Sequence, residues 1–218
     1  MKLVGFGCSF TYGSELVDSD IDPADHWANT CYRESNVWLG QLAKLLGATW
    51  DNRAEPANSN FAIAQQVADY FIKTRNSDEK IVVCVGWTER TRFSWYDDHW
   101  THNGFVNDKQ GWTRSAKEWV LNSNSASHDM FTDNAKLLVN SICKAHGVPI
   151  LQFNALGTHK PTTYPNYFID GASMDSMLKR AAQEDSRLDL FASGGHPNEL
   201  GHEYFTIRLH DFAKERII

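Results

Sequence analysis

Cysteine is scarce in this chain. Its 218 residues hold four, Cys8, Cys31, Cys84 and Cys143, widely scattered and without a CxxC pair. That spacing excludes a disulfide framework and predicts free thiols in a reducing compartment. His99 with His102, and Cys143 with His146, are incomplete as ligand sets, so no metal is expected. No apolar run approaches the roughly 18 residues that a membrane span needs. Basic residues do not cluster: 21 Lys and Arg stand against 27 Asp and Glu, a net charge of −6, which argues against a groove that tracks nucleic-acid phosphates. There is no Walker loop and no GxGxxG, so no nucleotide cofactor is expected. The opening stretch from Met1 to Gly7 turns glycine-rich too soon for a secretory h-region, and a cytoplasmic location is expected. Nothing in the residues speaks to oligomeric state.

What is abundant is aromatic: 8 Trp, 7 Tyr and 12 Phe. Five of the tryptophans fall between Trp87 and Trp119, among Asp97, Asp98, His99, His102 and Asn103. Rings beside carboxylates and amides suit sugar C–H faces and hydroxyls, so Trp87, Arg90, Trp95 and Trp100 are candidate substrate-binding residues. Packing of the same rings onto the domain is the other reading.

The order of elements carries the fold class. Lys2 to Phe6 reads as a short buried strand, and Lys80 to Gly86 as a parallel strand covered on both faces. Thr49 to Ala54 and Pro149 to Phe153 read as further strands. Helices are predicted over residues 37–46, behind an N-cap at Asn58, over 131–145, and over 198–213. Residues 14–35 read as polar and irregular. Alternating strands and helices predict an α/β domain, a three-layer α/β/α sandwich with a mostly parallel, flavodoxin-like five-stranded sheet. A single domain over 1–218 is expected, with insertions at about 90–127 and 155–187 that show no clear periodicity.

Two segments carry chemistry. Ser9 follows the first strand, flanked by Gly7 and Gly13. Ligand sites in α/β sheets form at such strand ends, although a serine there is commonly only a cap. Near the other end, Ser193-Gly194-Gly195-His196-Pro197-Asn198 holds one histidine in a constrained loop, as a general base requires. Together they resemble the SGNH hydrolases, also called GDSL esterases and lipases. The first block of that family is similar to Gly7-Cys8-Ser9-Phe10-Thr11-Tyr12-Gly13, and its last block to His196-Pro197-Asn198-Glu199-Leu200-Gly201-His202.

The resemblance implies Ser9 as nucleophile, His196 as its general base and acyl transfer through serine. Three family positions are substituted. Ala57 stands at the glycine of the second block, where Ala57 or Asn58 would supply a backbone oxyanion donor, beside the N–H of Ser9. Thr88 stands at the asparagine of the third block. Ser193 stands where the family has its triad aspartate, three residues before the histidine. Asp189 is the nearest upstream carboxylate, and Ser193 or a carbonyl are the other candidates to orient the ring. Cys8, beside Ser9, points away from it and is a poor candidate nucleophile. The expected function is hydrolysis of a small acyl ester, with O-acetyl groups on a carbohydrate as the substrate class. The alternative is a weakly active or non-catalytic SGNH-fold protein with a glycan-binding or structural role. The compact, signal-free chain also looks like proteins encoded by bacteriophages, which adds the virion as a second expected location.

Overall fold

A computed structural model describes residues 1–73, 79–97, 99–103, 123–157, 159, 163–168 and 172–217. The elements, in chain order, are β1 (Lys2–Gly7), α1 (Ser9–Tyr12), α2 (His26–Asn36), α3 (Trp38–Leu45), β2 (Thr49–Asn52), α4 (Asn60–Lys73) and β3 (Ile81–Trp87). Then follow β4 (Phe93–Asp97), β5 (His99–Asn103), α5 (Ser125–Ala145), β6 (Ile150–Asn154), β7 (Tyr167–Phe168), α6 (Met174–Glu184) and α7 (Glu199–Arg216). Five strands form one sheet in the order β2-β1-β3-β6-β7, and every pairing in it is parallel. This is the expected α/β/α sandwich.

Strand alternation builds the two cores. Leu3, Val82, Cys84, Leu151 and Phe153 face one side, where Trp38, Leu39, Leu178, Phe205 and Leu209 cover them from α3, α6 and α7. Val4, Phe6, Val83, Val85, Trp87 and Ile150 face the other, against Ile63, Val67, Ala135 and Val139 of α4 and α5. Trp38 meets Phe153 edge-on with ring centroids 5.0 Å apart. Such a pair contributes roughly 0.5–1.5 kcal/mol beyond its buried area. Gly5 lets Leu39 of α3 pack against β1, since a Cβ there would lie 2.4 Å from a Leu39 methyl carbon and push that side chain aside.

The observed structure corrects several sequence expectations. Residues 14–35 include α2, whose cap is Asp25, with its side chain accepting from the Ala28 N–H. Helix α2 is polar on average and buries no residue fully. The first turn of α4 is capped by Ser59, whose Oγ accepts from Ala62 N at 3.2 Å, and not by Asn58. The 155–187 stretch supplies the fifth strand and α6, which a Ser173–Ser176 capping box starts and which buries Met174, Leu178 and Ala181. In the 90–127 stretch, β4 and β5 form an antiparallel hairpin, with Trp95 opposite Thr101 and Trp100 opposite Tyr96. Residues 104–122, with Trp112 and Trp119, lie outside the described residues. Among the described residues, no helix is long and apolar enough to cross a membrane.

Two buried imidazoles tie this fold to pH. His202 of α7 is fully buried, and its Nδ1 accepts from the Trp38 N–H at 3.3 Å. Burial pushes its pKa down to about 3. His159 is brought down to about 4, by burial first and then by the Lys136 charge. Both are neutral in the folded chain at mildly acidic pH, whereas the unfolded chain protonates them below about 6.5. The unfolded state therefore binds more protons, and stability falls as pH drops through this window. Urea unfolding is expected to show a lower midpoint near pH 5.5 than near pH 7.5. His202→Asn, which keeps an acceptor for Trp38, should remove part of that difference. Equal midpoints at the two pH values would contradict the assignment.

A second stability test comes from the backbone. Ala57 sits at φ 63°, in the left-handed region. That conformation costs a residue with a Cβ roughly 1–2 kcal/mol. Ala57→Gly is expected to stabilise the chain by about 1 kcal/mol in denaturant unfolding. Destabilisation would show that the methyl group packs usefully.

Candidate active site

Strand β1 ends at Gly7, and the chain enters the four-residue helix α1 at Ser9. Thr11 N and Tyr12 N both reach back to Cys8 O, at 2.9 and 2.8 Å. The backbone N–H of Ser9 makes no main-chain hydrogen bond among the described residues. Close packing beneath the turn needs glycine: a Cβ on Gly7 or Gly86 would collide with Thr11 Oγ1. Ser9 is 6% exposed, while Cys8 beside it is fully buried, which removes the thiol from contention.

Helix α1 stops at Gly13, in the left-handed region at φ 84°, and both Gly13 N and Ser14 N close on Ser9 O at 3.0 Å. Glu15 follows with φ 68°. For glutamate this is a strained backbone, worth about 1–2 kcal/mol, and it needs compensating contacts. Those contacts come from the far end of the chain. Glu15 Oε1 accepts from Gly194 N at 2.7 Å, and Oε2 accepts from His196 N at 3.1 Å. Oε2 also meets His196 Nδ1 at 2.6 Å. The hydrogen bond from His196 holds the Glu15 carboxyl below its usual pKa, so it is ionised. Glu15 also borders a cavity of about 480 Å³, lined in part by Leu16, Ile21, Asn29 and Arg33.

The histidine loop is rigid. Phe191 and Pro197 form an antiparallel bridge, Ala192 N donates to His196 O at 2.8 Å, and Gly195 N donates to Ala192 O at 2.9 Å. Gly195 takes φ 88°, as a turn of this tightness requires. Asn198 then caps α7 and fixes the loop, with Nδ2 donating to Asp189 O and Oδ1 accepting from Gly201 N. The His196 ring lies 5.7 Å from the Phe10 ring, which brings it beside the Ser9 turn. Ser9 Oγ and His196 make no direct hydrogen bond among the described residues. Sites without substrate commonly show such looseness.

The carboxylate on His196 is therefore not at either position expected from sequence. Ser193 is exposed and its side chain makes no hydrogen bond among the described residues. Asp189 is exposed too, and contributes its carbonyl to Asn198 rather than a carboxylate to the ring. Sequence reasoning missed Glu15 because a carboxylate recruited from the opposite end of the chain has no spacing signature. Its signals were local and ambiguous: the acid nearest Ser9, just past a helix-ending glycine.

The expected oxyanion positions separate into two kinds. Ala57 is half-buried, and its N–H makes no main-chain hydrogen bond among the described residues, whereas Asn58 N donates to Glu55 O at 3.4 Å. The Asn58 side chain is fully buried and donates to Gly7 O and Gln66 Oε1. Thr88 is also fully buried, with Oγ1 shielded and without a hydrogen-bond partner among the described residues. Asn60 pairs with the Thr88 peptide on both sides, accepting from its N–H at 2.9 Å and donating to its carbonyl at 3.1 Å.

The expected substrate-binding residues also divide. Trp87 is core: it is fully buried on the α4–α5 face of β3, and its indole N–H donates to Gln152 Oε1 at 3.2 Å. Arg90 pairs with Asp129 at 2.5 Å. It lines a small cavity with Lys136 and His159, where Lys136 Nζ lies 3.2 Å from His159 Nδ1. Trp95 and Trp100 are placed by their backbone alone, on the β4–β5 hairpin. Among the described residues, no group of three or more His, Cys, Asp and Glu side chains is arranged to hold a metal ion.

No protein-family model matches the chain, and no curated protein matches it. Solved structures do. One is a carbohydrate esterase whose active site is described as having divergent catalytic and non-catalytic binding functions. It is 13% identical with a TM-score of 0.51, and the match covers 99% of this chain but 65% of that one, so the chain spans less than two thirds of its length. Another is the psychrotrophic esterase EstA from Pseudoalteromonas sp., in a structure inhibited by monoethylphosphonate. It is 8% identical with a TM-score of 0.50, covering 98% of this chain and 97% of that one. A third is a lipolytic protein of the G-D-S-L family from Veillonella parvula, 14% identical with a TM-score of 0.44, covering 99% of this chain and 97% of that one. The α/β fold that the SGNH resemblance implies is thus one shared with solved esterases.

Proposed function

We propose that the chain is a serine ester hydrolase acting on small acyl esters, with O-acetyl groups on a carbohydrate as the substrate class. The observation that carries this reading is the setting of His196. Its Nδ1 faces an ionised carboxylate at 2.6 Å, so the ring holds its proton there and leaves the Nε2 lone pair for a base. The ring is also anchored beside the Ser9 turn by a rigid loop. A histidine serving only as a helix-entry residue has no need of that arrangement.

The chemistry follows from these groups. Ser9 Oγ bonds to the acyl carbon as His196 Nε2 takes its proton. The tetrahedral oxyanion collapses, the bond to the alcohol oxygen breaks, and the imidazolium returns the proton to the departing alcohol. Water then repeats the sequence on the acyl-serine, releasing the carboxylic acid and restoring Ser9. Backbone N–H groups of Ser9 and Ala57 are the oxyanion donors in this reading, both free of main-chain partners among the described residues. The shielded Thr88 hydroxyl is not an open donor in this conformation, which leaves one fewer donor than the family pattern. Loss of a donor costs ~10²–10³ in rate, so a slow enzyme is expected. The carbohydrate part of the proposal draws on the carbohydrate esterase that shares the fold.

A binding role on the same fold is the second reading, favoured by the missing Ser9–His196 hydrogen bond. One pair of experiments separates the two. Wild type is expected to hydrolyse p-nitrophenyl acetate and acetylated xylo-oligosaccharides. Ser9→Ala should fall to the background rate, and a fluorophosphonate probe should label wild type alone. Equal rates for the two proteins, with no labelling of Ser9, would remove the hydrolase reading and leave the binding one.

A further inference from the structure

We infer that Glu15 is the positioning carboxylate of this site, carried on the turn that follows the serine instead of three residues ahead of the histidine. The inference rests on the Ser9–His196 reading above and names the residue that makes His196 a base.

The His196 loop is shaped to receive this one side chain. Three hydrogen bonds converge on the Glu15 carboxylate, from Gly194 N, His196 N and His196 Nδ1. Gly194 is necessary for the approach, because a Cβ there would collide with both carboxylate oxygens and the carbon between them. Position 193, where an SGNH-type chain would place its aspartate, holds an exposed serine and offers nothing to the ring. The loop thus has a vacated acid position, a glycine where the incoming carboxylate passes, and two backbone donors aimed at it.

The consequences are chemical as well as architectural. One oxygen, Oε2, binds both the backbone N–H and the ring Nδ1 of the same residue, which fixes the ring about its own side-chain torsions. It also fixes the tautomer, with the proton on Nδ1. When His196 takes the Ser9 proton, the Glu15 charge lies against the imidazolium and stabilises it. Glu15 stays ionised throughout and exchanges no proton. Because Glu15 lies six residues beyond Ser9 on one short turn, the serine and the acid are placed by the same segment, and His196 docks onto both.

The test uses the full chain with Glu15→Gln, and with Glu15→Gln combined with Ser193→Asp to return an acid to the expected position. Three readouts are taken: kcat and KM for p-nitrophenyl acetate, the thermal midpoint, and the downfield proton resonance of a histidine Nδ1–H bonded to carboxylate. Glu15→Gln is expected to lower kcat roughly 10³-fold or more, as acid replacement does in related triads. KM should change less than about threefold and the downfield resonance should disappear. Adding Ser193→Asp should recover kcat at least tenfold without restoring the thermal midpoint. A Glu15→Gln protein within about threefold of wild-type kcat overturns the inference, as does a resonance that persists. If Glu15→Gln destabilises the chain, recovery of kcat and midpoint strictly together, or of neither, assigns Glu15 a purely structural role and also overturns it. Failure of the hydrolase reading is distinguishable: wild type then shows no Ser9-dependent rate, and the resonance alone reports that Glu15 still holds the ring.

Discussion

The carboxylate of Glu15 joins two segments 181 residues apart, and most of the candidate site is arranged around that junction. One side of it is the turn after β1, and the other is the loop before α7. Neither segment is held in its observed shape by strand pairing within the main sheet. Glu15 pays for its left-handed backbone with charge-assisted hydrogen bonds, which are stronger than neutral ones. His196 receives both its orientation and its tautomer from the same contact. A single interaction therefore sets where the turn after Ser9 ends, where the histidine loop docks, and which ring nitrogen is left without its proton.

The sheet places the Ser9 side of that junction, at the edge formed by its strand ends. With β1 between β2 and β3, and all pairings parallel, residues after β1 and after β3 emerge side by side. The reversal of strand order at β1–β3 is the place where α/β sheets form their binding crevices. The edge is then made stiff by amides. Asn58 holds Gly7 O, Asn60 holds both polar groups of the Thr88 peptide, and Asn154 bonds the Ala172 carbonyl and the Tyr167 hydroxyl. Buried loops of this kind would leave main-chain groups unsatisfied without such side chains. These amides serve the framework, which is why Asn58 is spent on structure and the neighbouring Ala57 N–H is left uncommitted.

The fold was legible in the sequence where burial dictated composition. A strand covered on both faces is largely apolar, and Ile81–Trp87 announces itself in that way, whereas Ile150–Asn154 carries the buried amides Gln152 and Asn154 among its apolar residues. The same rule misled at Trp87, where alternation sends the ring inward instead of toward the strand end. Helix α2 escaped notice because it fully buries none of its residues, and β7 because two residues carry no pattern. Ser9 and His196 stood out through the resemblance of their two blocks to the SGNH pattern, and the structure sets the His196 ring beside the Ser9 turn. Glu15 did not stand out, because the property that matters there is a positive φ combined with a partner from the last quarter of the chain, and local pattern encodes neither.

The three positions that depart from the SGNH pattern look alike in sequence and differ in physical consequence. At Ala57 the backbone keeps a left-handed conformation despite the added Cβ, so a donor N–H survives at a cost in strain. At Thr88 the hydroxyl is buried under a peptide that Asn60 clamps, so what is lost is an open side-chain donor while the backbone stays fixed. At Ser193 the acid is gone, yet the ring it would have served holds a carboxylate at 2.6 Å from elsewhere. A site losing its chemistry piecemeal has no reason to keep Gly194 bare for a carboxylate, nor to hold Glu15 in a strained backbone against it. Strain sustained by contacts to one histidine loop is understandable if that histidine is required to be a base, and is otherwise a stability cost without return.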